Sequence, residues 1–238
     1  MENLLNILFP LKCINCNQIG EIICDSCLYD CELLTTQYCI VCDKPSFDGY
    51  THKQCLEKLK GKAPTQLLSV YTYKDTVRNT IKTSKYGSKQ FIALKKLTYE
   101  GTNIIREWEY TFEDFICVSI PSSQKKYAKR GFNQSEIITE IFAKRLKLPV
   151  DNSLITRTKE TEAQYTLKRE NRFENIKDAF ATKQSEYLKD KKILLIDDVV
   201  TTGATLLGIS NTLYESGVKE VKCITLSKKL IERKYPGT

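Results

Sequence analysis

Apolar residues along the chain fall into two kinds of block. "FICVSIP" at 115–121 and "KKILLIDD" at 191–198 are short, nearly continuous apolar runs, the first stopped by Pro121 and the second by paired acids. Runs of this kind predict strands buried on both faces. "QLLSVYTY" at 66–73 alternates and is rich in strand formers, and "VKEVKCITLSKK" at 218–229 closes the chain with another strand. Helical spacing marks the second kind. "NQSEIITEIFAKRLKL" carries Ile137, Ile138, Ile141, Phe142 and Leu146 on one face, with Asn133 and Glu136 three apart as in a capping box. "ATLLGISNTLYESG" places Leu206, Ile209 and Leu213 together and ends at Gly217. "VRNTIKTSKYGSKQFIALKKLTYEG" reads as helix, a break near Gly87, then helix. Strands separated by helices predict an α/β fold with a parallel, doubly wound sheet.

Ahead of these elements the pattern changes. Eight of the ten cysteines precede residue 56, and only Cys117 and Cys223 lie beyond. They form "CINC" (13–16), "CDSC" (24–27), "CIVC" (39–42) and, with the chain's one histidine, "HKQC" (52–55). Each pair aims two ligands at one cation from a tight knuckle, and four pairs supply enough donors for two tetrahedral zinc ions. Sequential pairing is simplest: Cys13, Cys16, Cys24 and Cys27 for one ion, Cys39, Cys42, His52 and Cys55 for the other. An interleaved arrangement, or one zinc with the remaining pairs as buried thiols, fits the spacing too. Cys31 replaces a neighbour or belongs to the core. A closed four-ligand site is structural, so the metal folds the segment. "KLKGKAPT" follows as a linker, dividing a zinc-ribbon module (1–62) from a larger domain (63–238).

Charge separates the same two parts. Residues 1–62 hold 6 Lys and no Arg against 8 acids, whereas the remainder of this +8 chain holds 31 basic against 21 acidic residues. The basic body suits a polyanion or a phosphorylated substrate. "MENLLNILFPLK" lacks a basic leader and a cleavage site, and no apolar run reaches membrane-spanning length, so a cytoplasmic protein without membrane insertion is expected.

The candidate chemistry lies where the second buried run ends, in "ILLIDDVVTTGAT" (193–205). In open parallel sheets, ligands bind beyond the carboxyl ends of the strands. A strand, a small turn and a helix N-terminus make a phosphate cradle: Thr201, Thr202 and Thr205 offer hydroxyls, and Gly203 permits close backbone approach. No Walker lysine and no dinucleotide glycine pattern is present. One phosphate cradle beside Asp197 and Asp198 describes a site for a phosphorylated ribose.

This stretch resembles the signature of type I phosphoribosyltransferases. That resemblance implies that Asp197 and Asp198 grip the ribose hydroxyls of phosphoribosyl pyrophosphate, as the residues held catalytic, while the segment Val199, Val200, Thr201, Thr202, Gly203, Ala204 and Thr205 holds the 5′-phosphate. With "RGFNQSE" (130–136), "QYTLKRENRFENIKDAF" (164–180) and the cysteine pairs, nearly the whole chain resembles the ComF family, associated with bacterial competence and DNA uptake. The family resemblance implies a double zinc ribbon followed by a phosphoribosyltransferase-like domain. It also implies a pyrophosphate-facing loop from Pro121 through Ser122, Ser123, Lys125, Lys126, Lys129 and Arg130, with Lys126 or Arg130 meeting the leaving phosphates. "HKQC" departs from the family's CxxC, and Val199 and Val200 are an apolar spacer after the acids.

Two functions follow from the resemblance. One is a competence protein binding phosphoribosyl pyrophosphate and single-stranded DNA, with a helicase or recombination protein as partner. The other is an active magnesium-dependent phosphoribosyltransferase (a pentosyl glycosyltransferase) whose acceptor base the sequence does not identify. Lys125, Lys126, Lys129 and Arg130 interleaved with Tyr127 and Phe132, and Arg157, Lys168, Arg169 and Arg172 with Tyr165, suit single strands: cations follow phosphates while rings stack on bases. With its single His in the zinc module, the larger domain offers no Ser-His-Asp hydrolase.

Overall fold

The computed structural model describes residues 10–85, 90–159, 179–182 and 185–230. Gly87, Tyr165 and the basic positions Lys168, Arg169 and Arg172 lie outside them. In chain order, α1 (Asp25–Tyr29) and α2 (Lys53–Lys58) belong to the Cys-rich segment. Then come β1 (Gln66–Thr72), α3 (Asp75–Thr83), α4 (Gln90–Glu107), β2 (Phe115–Ser119), α5 (Gln124–Arg130) and α6 (Gln134–Leu146). They are followed by β3 (Ile155–Arg157), β4 (Phe180–Thr182), α7 (Ser185–Leu188), β5 (Lys192–Val200), α8 (Ala204–Glu215) and β6 (Glu220–Lys228).

Four strands form a parallel sheet in the order β1-β6-β5-β2, while β3 and β4 pair separately as an antiparallel ribbon. Its two faces are read directly from β5. Leu194 and Ile196 join α3, α4 and α6 through Val77, Ile81, Leu94, Ile138 and Phe142. Ile193 and Leu195 face the other way, toward Leu206, Ile209 and Leu213 of α8. All four strand residues have zero exposure, and burying each contributes about 1.5–3 kcal/mol before chain entropy is counted. Both faces are covered, as a continuous apolar run requires.

β1 differs from its alternating pattern, because every one of its residues is buried. Its polar positions are paired inside: the Ser69 and Thr225 hydroxyls lie 2.8 Å apart, and Gln66 donates to the Asp48 carbonyl at 2.9 Å. The Cys-rich segment covers the outer edge of this strand. Leu34 N–H donates to the Val70 carbonyl, Thr72 N–H to the Glu32 carbonyl, and the Gln37 side chain bonds both backbone groups of Ser69. This pairing removes an open sheet edge. Residues 58–65 also depart from the linker expectation. Ala63 has zero exposure, and Thr65 N–H donates to the Val221 carbonyl at 2.8 Å, so the connection is packed against the sheet. Among the described residues no helix is long and apolar enough to cross a membrane.

Candidate functional site

β5 carries its apolar run past the core and continues as Asp197, Asp198, Val199 and Val200, still paired with β6. The chain then turns through Thr201–Gly203 into α8. Gly203 has φ +75° at the helix cap, a left-handed conformation that disfavours side chains. The turn and the first residues of α8 line a small hollow of about 50 Å³, bounded by Asp197 and by residues 199–206. A second hollow of about 180 Å³ adjoins it, and the two share Asp197 and Thr205. Its walls come from the segment after β2 (Ile120, Pro121, Ser122), from Lys126 and Arg130 of α5, and from the start of α6. Lys85 at the end of α3, Arg157 of β3 and Asp198 complete it.

The start of α6 organises this wall. Asn133 caps the helix by accepting from Ser135 N–H at 3.3 Å, and its amide donates to the Ile120 carbonyl at 2.9 Å. Gln134 donates to the Ile81 carbonyl and the Ser84 hydroxyl, tying the end of α3 to the same place. Ser135 Oγ donates to Asp197 Oδ1 at 2.7 Å. "RGFNQSE" is therefore the brace that joins α3, β2 and α6 to the acids. The capping-box expectation holds at Asn133, although its bond goes to the second helical residue and Glu136 meets the Asn133 side chain at 3.4 Å.

Asp197 is half-buried, and its carboxyl is pushed up to about 8. Loss of water around it is the main cause, and the neighbouring Asp198 charge adds to it; the Ser135 hydroxyl and the Asp198 N–H oppose the rise. Each acid also accepts from the next backbone N–H, Asp197 from Asp198 at 2.9 Å and Asp198 from Val199 at 2.8 Å. The opposite sign collects on the facing wall. Lys126 is held below the usual lysine range by desolvation and by the positive charges of Arg157, Arg130 and Lys85. Four cations converging on one cleft favour an anion, whose charge relieves their repulsion.

Of the positions expected to face pyrophosphate or DNA, Pro121, Ser122, Lys126 and Arg130 line the cleft. Ser123 is buried as the cap of α5, accepting from Lys126 N–H, and exposed Lys125 and Lys129 lie outside the lining. Tyr127 is 49% exposed, whereas Phe132 packs edge-on against Phe91 with centroids 4.1 Å apart. The sequence reading missed Lys85 and Ser135 as parts of the site. No local signal marks Lys85, and Ser135 lies within a motif noted for resemblance alone.

The cysteine pairs assemble sequentially. In each of the sets Cys13, Cys16, Cys24, Cys27 and Cys39, Cys42, His52, Cys55 the ligand atoms lie within 4.8 Å of one another. Cys16 and Cys24 Sγ are 3.6 Å apart, and Cys42 Sγ is 3.3 Å from His52 Nδ1. Tetrahedral coordination at bond lengths near 2.3 Å for sulfur and 2.1 Å for nitrogen spaces its ligands by about 3.6–3.8 Å, so both sets fit a metal ion. Burial works against the Cys13 thiolate, but N–H groups of Cys16, Cys24 and Asn15 outweigh it and bring the thiol down to about 6. Cys55 is pushed up to about 12 by burial and by the charges of Cys39 and Cys42. One thiol per set is thus primed to ionise while another resists a second charge, a conflict that a divalent cation removes. Cys31 stands outside both sets: its buried thiol donates to the Cys27 carbonyl at 3.4 Å.

The family model described as "Phosphoribosyl transferase domain" matches residues 131–236. The chain is similar to the DNA utilization protein YhgH of Escherichia coli (strain K12), with 29% identity over 196 residues, covering 81% of this chain and 84% of the relative. It is similar to competence protein ComFC of Bacillus subtilis (strain 168), with 28% identity over 203 residues, covering 83% and 80%. With competence protein F of Haemophilus influenzae it shares 32% identity over 113 residues, 47% of this chain and 49% of that one. A crystal structure of a Staphylococcus aureus hypoxanthine phosphoribosyltransferase aligns with 61% of this chain and 68% of its own at 18% identity and a TM-score of 0.38.

Proposed function

We propose that the chain is a ComF-family protein, as its similarity to competence and DNA-utilization proteins supports, and that it binds phosphoribosyl pyrophosphate and single-stranded DNA in the service of DNA uptake. The observation that carries this reading is the pair of adjoining hollows sharing Asp197 and Thr205, one a small hydroxyl-lined turn and the other walled by Lys85, Lys126, Arg130 and Arg157. The first takes the 5′-phosphate on Thr201–Thr205, and the sugar hydroxyls reach Asp197, shared by both hollows, and Asp198 in the second. A second phosphate group meets the four cations. Magnesium, when bound with this ligand, supplies neutralisation of the pyrophosphate charge. The two cysteine sets hold zinc, which their thiolate-rich donors suit.

The same cations and exposed Tyr127 support the nucleic-acid half of the reading, since cations follow the backbone and a ring stacks on a base. Turnover is the second reading, favoured by the Asp197–Asp198 pair, which would hold the sugar hydroxyls and so position the anomeric carbon for reaction. Isothermal titration separates the possibilities. The native protein with magnesium and phosphoribosyl pyrophosphate releases binding heat, and the Asp197→Asn/Asp198→Asn variant weakens that binding at least tenfold. Its affinity for single-stranded DNA stays near native and falls steeply with salt. No heat from the native protein overturns the sugar-phosphate reading, and salt-insensitive DNA binding overturns the other half.

A further inference from the structure

The Thr201–Gly203 turn is backed at Gly203 by a residue of the Cys-rich segment. A Cβ built on Gly203 would lie 2.9 Å from Ile40 Cγ1 and 3.1 Å from the Ile40 carbonyl oxygen. The two backbones therefore touch, with no room between them for a side chain. Ile40 is 3% exposed and belongs to the apolar cluster on the α8 face of the sheet. It sits between Cys39 and Cys42, two of the four ligands of the second metal set. The knuckle that presents it is closed by Asp43 N–H donating to the Cys39 carbonyl and Cys39 N–H donating to the Lys44 carbonyl, both at 2.9 Å.

A second strut runs from the same knuckle to the other end of the turn. Asp43 Oδ1 meets Lys228 Nζ at 2.6 Å, with both side chains largely buried. Lys228 ends β6 opposite Val200, and Lys229 N–H donates to the Val200 carbonyl at 2.9 Å. Gly203 and Val200 bracket the turn, so the metal knuckle contacts one end directly and reaches the other through Lys228. A cation held by Cys39 and Cys42 would fix both ends of the knuckle, adding to its two backbone hydrogen bonds.

We propose that Ile40 is a positioning residue for the Thr201–Thr205 turn, so that metal bound by Cys39, Cys42, His52 and Cys55 sets how well the turn holds phosphate. The phosphate part rests on the function proposed above; the packing part does not. Coupling of this kind is reciprocal, so a ligand on the turn also slows loss of the second metal.

Hydrogen exchange on the full-length, metal-loaded protein without ligand tests the packing. Ile40→Ala raises exchange of the 199–205 amides at least tenfold while both metals stay bound, and Ile40→Val, which keeps Cγ1, restores native exchange within about threefold. Ile14→Ala, at the matching position of the first knuckle, leaves the 199–205 amides unchanged. Native exchange in Ile40→Ala, or an equal rise in Ile14→Ala, overturns the proposal. Should Ile40→Ala lose metal or fail to fold, a chelator titration of the wild type decides, with each site's release mapped by cysteine alkylation. Release of the second metal must raise exchange at 199–205, and unchanged exchange overturns the proposal. With magnesium and phosphoribosyl pyrophosphate, Ile40→Ala binds about tenfold more weakly than wild type. A wild type that does not bind the sugar phosphate overturns the reading of the turn and leaves the exchange result to judge the coupling.

Discussion

The two cysteine sets share their spacing but not their surroundings. The first is fastened to the helices on one face of the sheet. Asn79 of α3 donates to Asn15 at 3.0 Å, Lys96 of α4 donates to the Ile23 carbonyl at 2.8 Å, and Cys13, Cys24 and Cys27 share the apolar cluster of α3, α4 and α6. The second set lies across the β1 edge, where Ile40 enters the cluster on the opposite face and Asp43 reaches the end of β6. Ligand spacing thus defines what each set binds, whereas the neighbours define what each set supports. One supports the helical layer, and the other supports the turn at the candidate site.

Among the charged groups, the largest effect that tests this contrast is expected at Asp43. Its ion pair with Lys228 leaves the two side chains only 12% and 5% exposed. Asp43→Asn keeps a residue that tolerates the left-handed φ of +58° but leaves a buried ammonium with only a neutral amide and the Tyr38 ring at 5.3 Å, which costs about 3 kcal/mol. Urea unfolding measures this as a lower midpoint. A cost under about 1 kcal/mol means that the second set is not fastened to β6 by this pair.

Much of this arrangement is legible in the chain, for reasons that differ by region. β5, its acids and the turn can be read because one strand buried on both faces must be apolar, and its exit to a ligand must be abrupt. α8 is legible because Leu206, Ile209 and Leu213 recur on one side and are all buried. Ligand spacing gives the four metal-binding pairs and makes sequential pairing the simplest, while the fold selects it over the interleaved arrangement. β1 misleads because its polar residues find partners on β6 and in the Cys-rich segment, so alternation there does not report a wet face. Contacts between residues distant in sequence carry no local pattern, as with Ile40 against Gly203, Ser135 against Asp197, and Lys85 brought to the cleft by the end of α3. Pro64 and Gly61 read as linker signals, yet Gly61 only turns the chain, at φ +72°, into a packed connection.

Asp197 gives the intermediate effect, at the place where the two supports meet: α6 holds it through Ser135, and the turn beside it rests on Ile40. Its folded carboxyl binds a proton up to about 8, against an ordinary value of 3.8. Between those limits the folded chain holds more protons than the unfolded one. The stability contributed by protonated Asp197 is therefore full below the ordinary value and is lost as pH rises toward 8. Asp197→Asn removes that dependence. At pH 8 the variant is expected to be more stable than wild type by about 2 kcal/mol, with the gap closing below pH 4. Thermal unfolding of both proteins across this range measures the difference. A gap independent of pH means that the cleft cations already compensate the Asp197 charge.

The smallest effect belongs to the first set's ion pair, and its smallness is informative. Glu21 is 51% exposed beside Lys96, which also faces Asp25 at 3.5 Å and donates to the Ile23 carbonyl. Solvent screens such a pair and the remaining partners keep Lys96 in place, so Glu21→Ala is expected to cost less than about 1 kcal/mol. Ile23, with zero exposure inside the helical cluster, carries the attachment that the charge does not, and Ile23→Ala costs about 2–5 kcal/mol. If urea midpoints reverse that order, the first set is held to α4 by charge as the second is held to β6. The distinction between the two then rests on the Ile40 contact alone.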